Sequence, residues 1–111
     1  MDPEDAKIIA LARASRVRTN AAEGACVRDL DGRTYAASTV TLPSLSLSAV
    51  QVAVAMSVSS GAVGLEAVAV VTDADLLAGS DLAAVRDVAS RGISVFRCDP
   101  TGAVVERVAA P

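Results

Sequence analysis

The side chains able to do chemistry are few, and their spacing narrows the repertoire further. The 111 residues include no histidine and two cysteines, Cys26 and Cys98. Without an imidazole, Ser/His/Asp and Cys/His nucleophilic sites and histidine metal ligation are excluded. The cysteines have no C-x-x-C spacing and are too few for a catalytic zinc, which takes about three protein ligands. Each lies in an apolar stretch, as expected of a buried reduced thiol in a cytoplasmic protein. Asp73, Asp75 and Asp81 follow an aliphatic run, Glu66 to Thr72, that reads as a central strand. The carboxyl end of such a strand is where open α/β sheets place ligands, so these three are candidates for a hard divalent cation. Asp at a strand end or in the first turn of a helix is the more ordinary reading. Ser44, Ser46 and Ser48 have no base partner in the sequence that would make one of them a nucleophile.

Charge and composition remove other classes. Lys and Arg number 10 against 13 Asp and Glu, so the net charge is −3. Nucleic-acid binding wants a clustered positive face and, on single strands, aromatic platforms. Aromatics make up only 2%, Tyr35 and Phe96. Arg13, Arg16, Arg18, Arg28 and Arg33 do gather in the first third, where they form a solvated face or steer an acidic partner; the solvated face is the simpler explanation. The chain's opening, Met1 to Asp5, is acidic and no signal peptide is expected. From Thr34 to Leu65 no residue is charged. Pro43, Gly61, Gly64 and many Ser and Thr break this stretch, so it is not a membrane span, which needs about 18 consecutive apolar residues. It must be hidden from water by the fold, by another chain, or by both.

These residues must be positioned by elements that the local patterns suggest. Asp2 as cap, Pro3 at the first helical position and acidic Glu4 and Asp5 predict a helix from about Pro3 to Ser15. Gly24 to Arg28 and Arg33 to Val40, joined through Asp31-Gly32, predict a β-hairpin. Leu45 to Ser60 is ambiguous: valines alternating from Val50 to Val58 suggest a strand, whereas length, alanines and Gly61 suggest a buried helix. Ser80 as cap and Gly92 as terminator bound a further amphipathic helix. Ile93 to Cys98 and Ala103 to Val108 are strands joined by a type I turn, Asp99-Pro100-Thr101-Gly102. The order is α-β-β-α-β-α-β-β in a single domain over residues 1–111.

That order and several local strings resemble the cytidine deaminase family of small zinc-dependent nucleoside deaminases. Gly24-Ala25, Asp31-Gly32, Ala49, Val58-Ser59 with Gly61, Ala67 to Asp73 (AVAVVTD) and Arg86-Asp87-Val88 fall in the family's order, from about Lys7 to Val108. The resemblance implies a three-layer α-β-α sandwich with a five-stranded mixed sheet, and it favours helix for Leu45 to Ser60. It also implies a site in which zinc activates a water and a glutamate carries protons. Matched position by position, the family's Cys-Ala-Glu falls on Ser48-Ala49-Val50, and the cysteines of its Pro-Cys-x-x-Cys on Leu82 and Val85. Its ribose-binding Asn-x-Glu falls on Thr39-Val40-Thr41 and its ring-packing Phe on Ala21.

The expectation is therefore a fold kept and a site filled in: no catalytic residue, no metal and no cofactor. The function expected is that of a catalytically inactive cytidine-deaminase-fold protein, an oligomeric interaction or scaffold module. Alternatives are a zinc-dependent deaminase converting cytidine to uridine, or a small-ligand, nucleoside-like binding domain. A homodimer or homotetramer through the Leu45–Ser60 helix is expected, with no nucleic acid and no membrane as partners.

Overall fold

The computed structural model describes residues 1–110, with Ser90 described by its backbone only. Pro111, the last residue of the expected domain, lies outside the described residues.

The first helix, α1 (Pro3–Thr19), begins as its sequence demands: the Asp2 carboxylate accepts the Glu4 amide at 2.8 Å. It runs one turn past Ser15, because Asn20 adopts a left-handed conformation (φ 52°) and returns its amide to the Arg16 and Val17 carbonyls. Asn tolerates that conformation and closes a helix as glycine does. Ile8, Ala12 and Ser15 are buried along one stripe. Gly24 is required where α1 crosses the sheet, since a Cβ there would run into the Ala12 carbonyl.

Strands β1 (Gly24–Asp29) and β2 (Thr34–Ser38) form the expected hairpin. Its turn is organised by buried Asp29, whose carboxylate accepts the Asp31 and Arg33 amides at 2.9 Å each and the Tyr35 hydroxyl at 2.9 Å. Burial alone would raise the carboxyl's pKa, but these hydrogen bonds outweigh it and hold the group below the usual carboxylate range.

The segment from Leu45 corrects the expected boundaries. Leu45–Leu47 is a strand, β4, paired antiparallel with β3 (Val40–Leu42) in a separate two-stranded sheet. Helix α2 spans Ala49–Ser59. Three-residue strands are too short to show a period, whereas the helix start has a clear local cause. Ser48 Oγ accepts the Gln51 amide at 3.1 Å and Gln51 Oε1 accepts the Ser48 amide at 2.9 Å, a reciprocal cap. Ala49, Val50, Ala53, Val54 and Ser57 form the buried stripe, so helical spacing prevails over the alternating valines.

Central strand β5 (Leu65–Val71) lies antiparallel to β1 and parallel to β6 (Ala89–Cys98), which pairs antiparallel with β7 (Val104–Ala109). The five-stranded mixed sheet has the order β2-β1-β5-β6-β7. The parallel crossover is made by α3 (Gly79–Val88). Two helix signals are corrected here. Ser80 lies inside the first turn, Ala78 being the cap residue without a side-chain bond. Gly92 does not end the helix; with φ +81° it lies in β6, where the register with β5 slips between Leu65/Ala89 and Ala67/Ser94. A glycine supplies the same left-handed conformation to a bulge as to a helix end.

Alternation along the strands divides the interior in two. Cys26, Ala67, Ala69, Val71, Phe96 and Cys98 pack with Ile8, Ile9 and Ala12 of α1. Ala25, Val27, Val68, Val70 and Val95 pack with Val50, Ala53, Val54 and Val85 of α2 and α3. The result is helix, sheet and helices in three layers. Both thiols are free and buried. Cys26 faces Ala69 across one edge of β5 and Cys98 faces Val71 across the other. Two strand spacings, about 9 Å, exceed what a disulfide spans. Burial pushes both thiols up to about 11.

Candidate functional site

One end of the sheet collects the polar side chains. The register sets Gly24 opposite both Ser38 and Val71, so Glu23, Thr39, Thr72 and Asp73, the residues just beyond those strand ends, meet there. The Thr39 hydroxyl accepts the Glu23 amide at 3.0 Å, and the buried Thr72 donates to the Glu23 carboxylate at 2.6 Å. With Arg16, Ser46 and Ser48 they line an open hollow of about 510 Å³.

Helices α2 and α3 point their N-termini toward the same corner. Ser48, the cap of α2, donates through Oγ to Asp81 Oδ1 at 2.6 Å. Asp81 stands in the first turn of α3 and is only 5% exposed. A carboxylate at this place is favoured by the partial positive charge of the helix end and by the short charge-assisted bond. Ser48 thereby has both its donor and its acceptor satisfied. Val50 and Val85, each 1% exposed, belong to the core beside this pair, and the half-buried Leu82 packs against it.

The candidates named from the sequence fare differently. Asp73 is exposed and pairs loosely with Arg16 at 3.5 Å, Asp75 is exposed, and Asp81 is bound to Ser48. Among the described residues no group of three or more His, Cys, Asp or Glu is placed to hold a metal ion. At the family-matched positions a zinc ion would meet one hydroxyl and two aliphatic side chains, with a single carboxylate nearby. That donor set does not fit zinc, which takes nitrogen, sulfur or carboxylate ligands in a four-coordinate shell. Ser44 and Ser46 are exposed, and Ser46 lines the hollow without a base partner. Thr39 lines it as well, Val40 and Thr41 are drawn into β3, and Ala21 is half-buried. The Ser48–Asp81 bond joins residues 33 apart in sequence. Its only local trace is the S-x-x-Q signature that marks Ser48 as a cap.

The five arginines of the first third also separate. Arg28 is held by Glu66 at 2.7 Å and Asp5 at 3.0 Å, Arg33 by Asp31 at 3.1 Å, and Arg16 by Asp73. Arg13 and Arg18 form no ion pair among the described residues. Among the described residues no helix is long and apolar enough to cross a membrane.

Comparison with known proteins agrees with this architecture. Residues 1–102 match a family model described as cytidine deaminase-like. The cytidine deaminase of Burkholderia pseudomallei is similar in fold, with a TM-score of 0.81 at 21% identity over 94% of this chain and 91% of that one. The cytidine deaminase of Mycobacterium leprae gives a TM-score of 0.73 at 19% identity over the same shares. No curated protein sequence matches the chain.

Proposed function

Because the chain belongs to the cytidine deaminase-like family yet carries Ser48, Val50, Leu82 and Val85 where the family places its zinc ligands and glutamate, we propose that it is a catalytically inactive member acting as an oligomeric interaction or scaffold module. The observation that carries this is the Ser48–Asp81 bond set among nearly fully buried valines. A vacated metal shell leaves unpaired polar groups at a cost of about 1–3 kcal/mol each; here aliphatic side chains and one self-satisfied pair occupy the volume. Elemental analysis and a cytidine deamination assay on the purified protein test it. Substoichiometric zinc and no uridine are expected; one zinc per chain with turnover overturns the reading.

The oligomer is the second part of the proposal. Leu42 and Leu45 at the tip of the β3–β4 hairpin, Met56 and Val58 on α2 and Val63 in the loop after α2 are exposed, all within the stretch that has no charge. Exposed apolar side chains in a segment free of charge suit a contact surface. A second copy covering this surface gives a homodimer or homotetramer through α2. Light scattering is expected to return a multiple of 11.2 kDa at micromolar concentration, and the monomer mass would defeat this part. Reduced thiols and the acidic pI of about 4.7 suit a cytoplasmic protein without a nucleic-acid partner. Recovery in a membrane or extracytoplasmic fraction would contradict that placement.

The open hollow favours one other reading, a small-ligand domain. Thermal shift against nucleosides and nucleotides separates the two. No shift is expected for a scaffold, and saturable stabilisation would establish a binder.

A further inference from the structure

A second, larger concavity lies along α1. A groove of about 760 Å³ runs between α1 and the start of β7. Its floor and walls are apolar: Ile9, Ala10 and Ala14 along the helix, with Val17 and Val104 facing water at 63% and 39% exposure. Among the described residues, the charged side chains lining it are Arg13 and Arg18. These are the two arginines of the first third that form no ion pair among the described residues, in a chain whose net charge is negative. Arg13 is fixed at the rim, its Nε donating to the Pro100 carbonyl at 3.2 Å, and its Cδ comes close to where a Gly102 Cβ would stand. The guanidinium is thus held above the apolar floor.

We infer that this groove docks an acidic amphipathic segment of a partner protein, aliphatic side chains entering between Val17 and Val104 and carboxylates meeting Arg13 and Arg18. Charge complementarity selects the occupant. A second copy placed symmetrically would bring the arginines of both chains together, a repulsive arrangement. Guanidinium groups pair with carboxylates in planar, two-bond geometry, and an apolar floor with a charged rim is the anatomy of a peptide site. The groove is separate from α2, so this inference stands or falls independently of the oligomer.

Fluorescence anisotropy with a labelled helical peptide of leucine and glutamate, and its counterpart with lysine for glutamate, tests it on the intact chain. Saturable binding of the acidic peptide is expected, weakened at least tenfold in Arg13→Glu/Arg18→Glu and in Val17→Asp, and weakened by raising salt from 0.05 to 0.5 M. The lysine counterpart should not bind. No binding of the acidic peptide to the unaltered protein, equal binding of the lysine counterpart, or undiminished binding by an R13E/R18E protein of unchanged melting temperature overturns the inference. So does a fall in native mass of R13E/R18E, which would assign the groove to a second copy, or binding of phosphatidylserine vesicles but not of the peptide, which would assign it to a membrane.

Discussion

The hollow at the end of the sheet beside Ser48 and the groove along α1 handle polar groups in opposite ways. In the hollow, hydroxyls and carboxylates satisfy one another: Ser48 with Asp81, Thr72 with Glu23. In the groove, apolar side chains stay wet and two guanidinium groups lack carboxylate partners among the described residues. Groups that bond each other have little left for a ligand, whereas exposed apolar area beside an unmatched charge gains on being covered. If the two proposals hold, the family site keeps its place in the fold while binding takes place at the groove.

That contrast can be broken most forcefully at Val50. Val50→Glu places an unpaired carboxylate in the α2 core and is expected to cost about 3–5 kcal/mol in urea unfolding; a cost below about 1 kcal/mol would show that the space is not closed core. Asp81→Ala leaves the Ser48 hydroxyl without its acceptor and should cost about 1–3 kcal/mol. An unchanged urea midpoint would mean that the bond does not join α2 to α3.

The thiols sharpen the picture of the α1 side. Their folded pKa values of about 11 lie above the unfolded value of about 8.5, so the unfolded chain releases its protons first. Stability is complete below about pH 8.5 and is expected to fall as pH rises toward 11. Both thiols should resist a disulfide reagent at pH 8 until denaturant is added. Rapid modification of the native protein would contradict their burial.

Asp29 behaves with the opposite sign. Its carboxyl is held low, so its contribution is present above the unfolded value of about 3.9 and is lost as pH falls through the folded value. Asp29→Asn should flatten the acid limb of the stability curve, and an identical acid limb would refute the role given to the hairpin turn. The smallest change belongs to R13E/R18E, expected within about 0.5 kcal/mol of the unaltered protein because both side chains are at the surface. A larger loss would make Arg13 a structural strut and blur the contrast between the two regions.

Much of the fold is legible in the residues because its causes are local. Asp2-Pro3 starts α1, Asp31-Gly32 turns the hairpin, and the uninterrupted aliphatic run marks β5 as buried on both faces. Errors arise where one residue type serves two purposes. Gly92 has the left-handed backbone of a helix terminator but is used at a strand irregularity. Ser80 has the chemistry of a cap but sits within the helix, and the three-residue strands β3 and β4 carry too little pattern to be seen.

The site divides along the same line. The sequence by itself determined that no imidazole and no clustered thiolates exist, and that Ser48, Val50, Leu82 and Val85 stand where the resemblance puts ligands and glutamate. Residue identity suffices for such exclusions, because chemistry that lacks its functional group cannot be restored by folding. Only the tertiary structure decided which polar groups meet. Strand register brought Thr72 to Glu23, the packing of two helix ends brought Asp81 to Ser48, and ion pairing set Arg13 and Arg18 apart from the other three arginines. Those partners are distant in sequence, and which of them pair is settled by the geometry of the closed core.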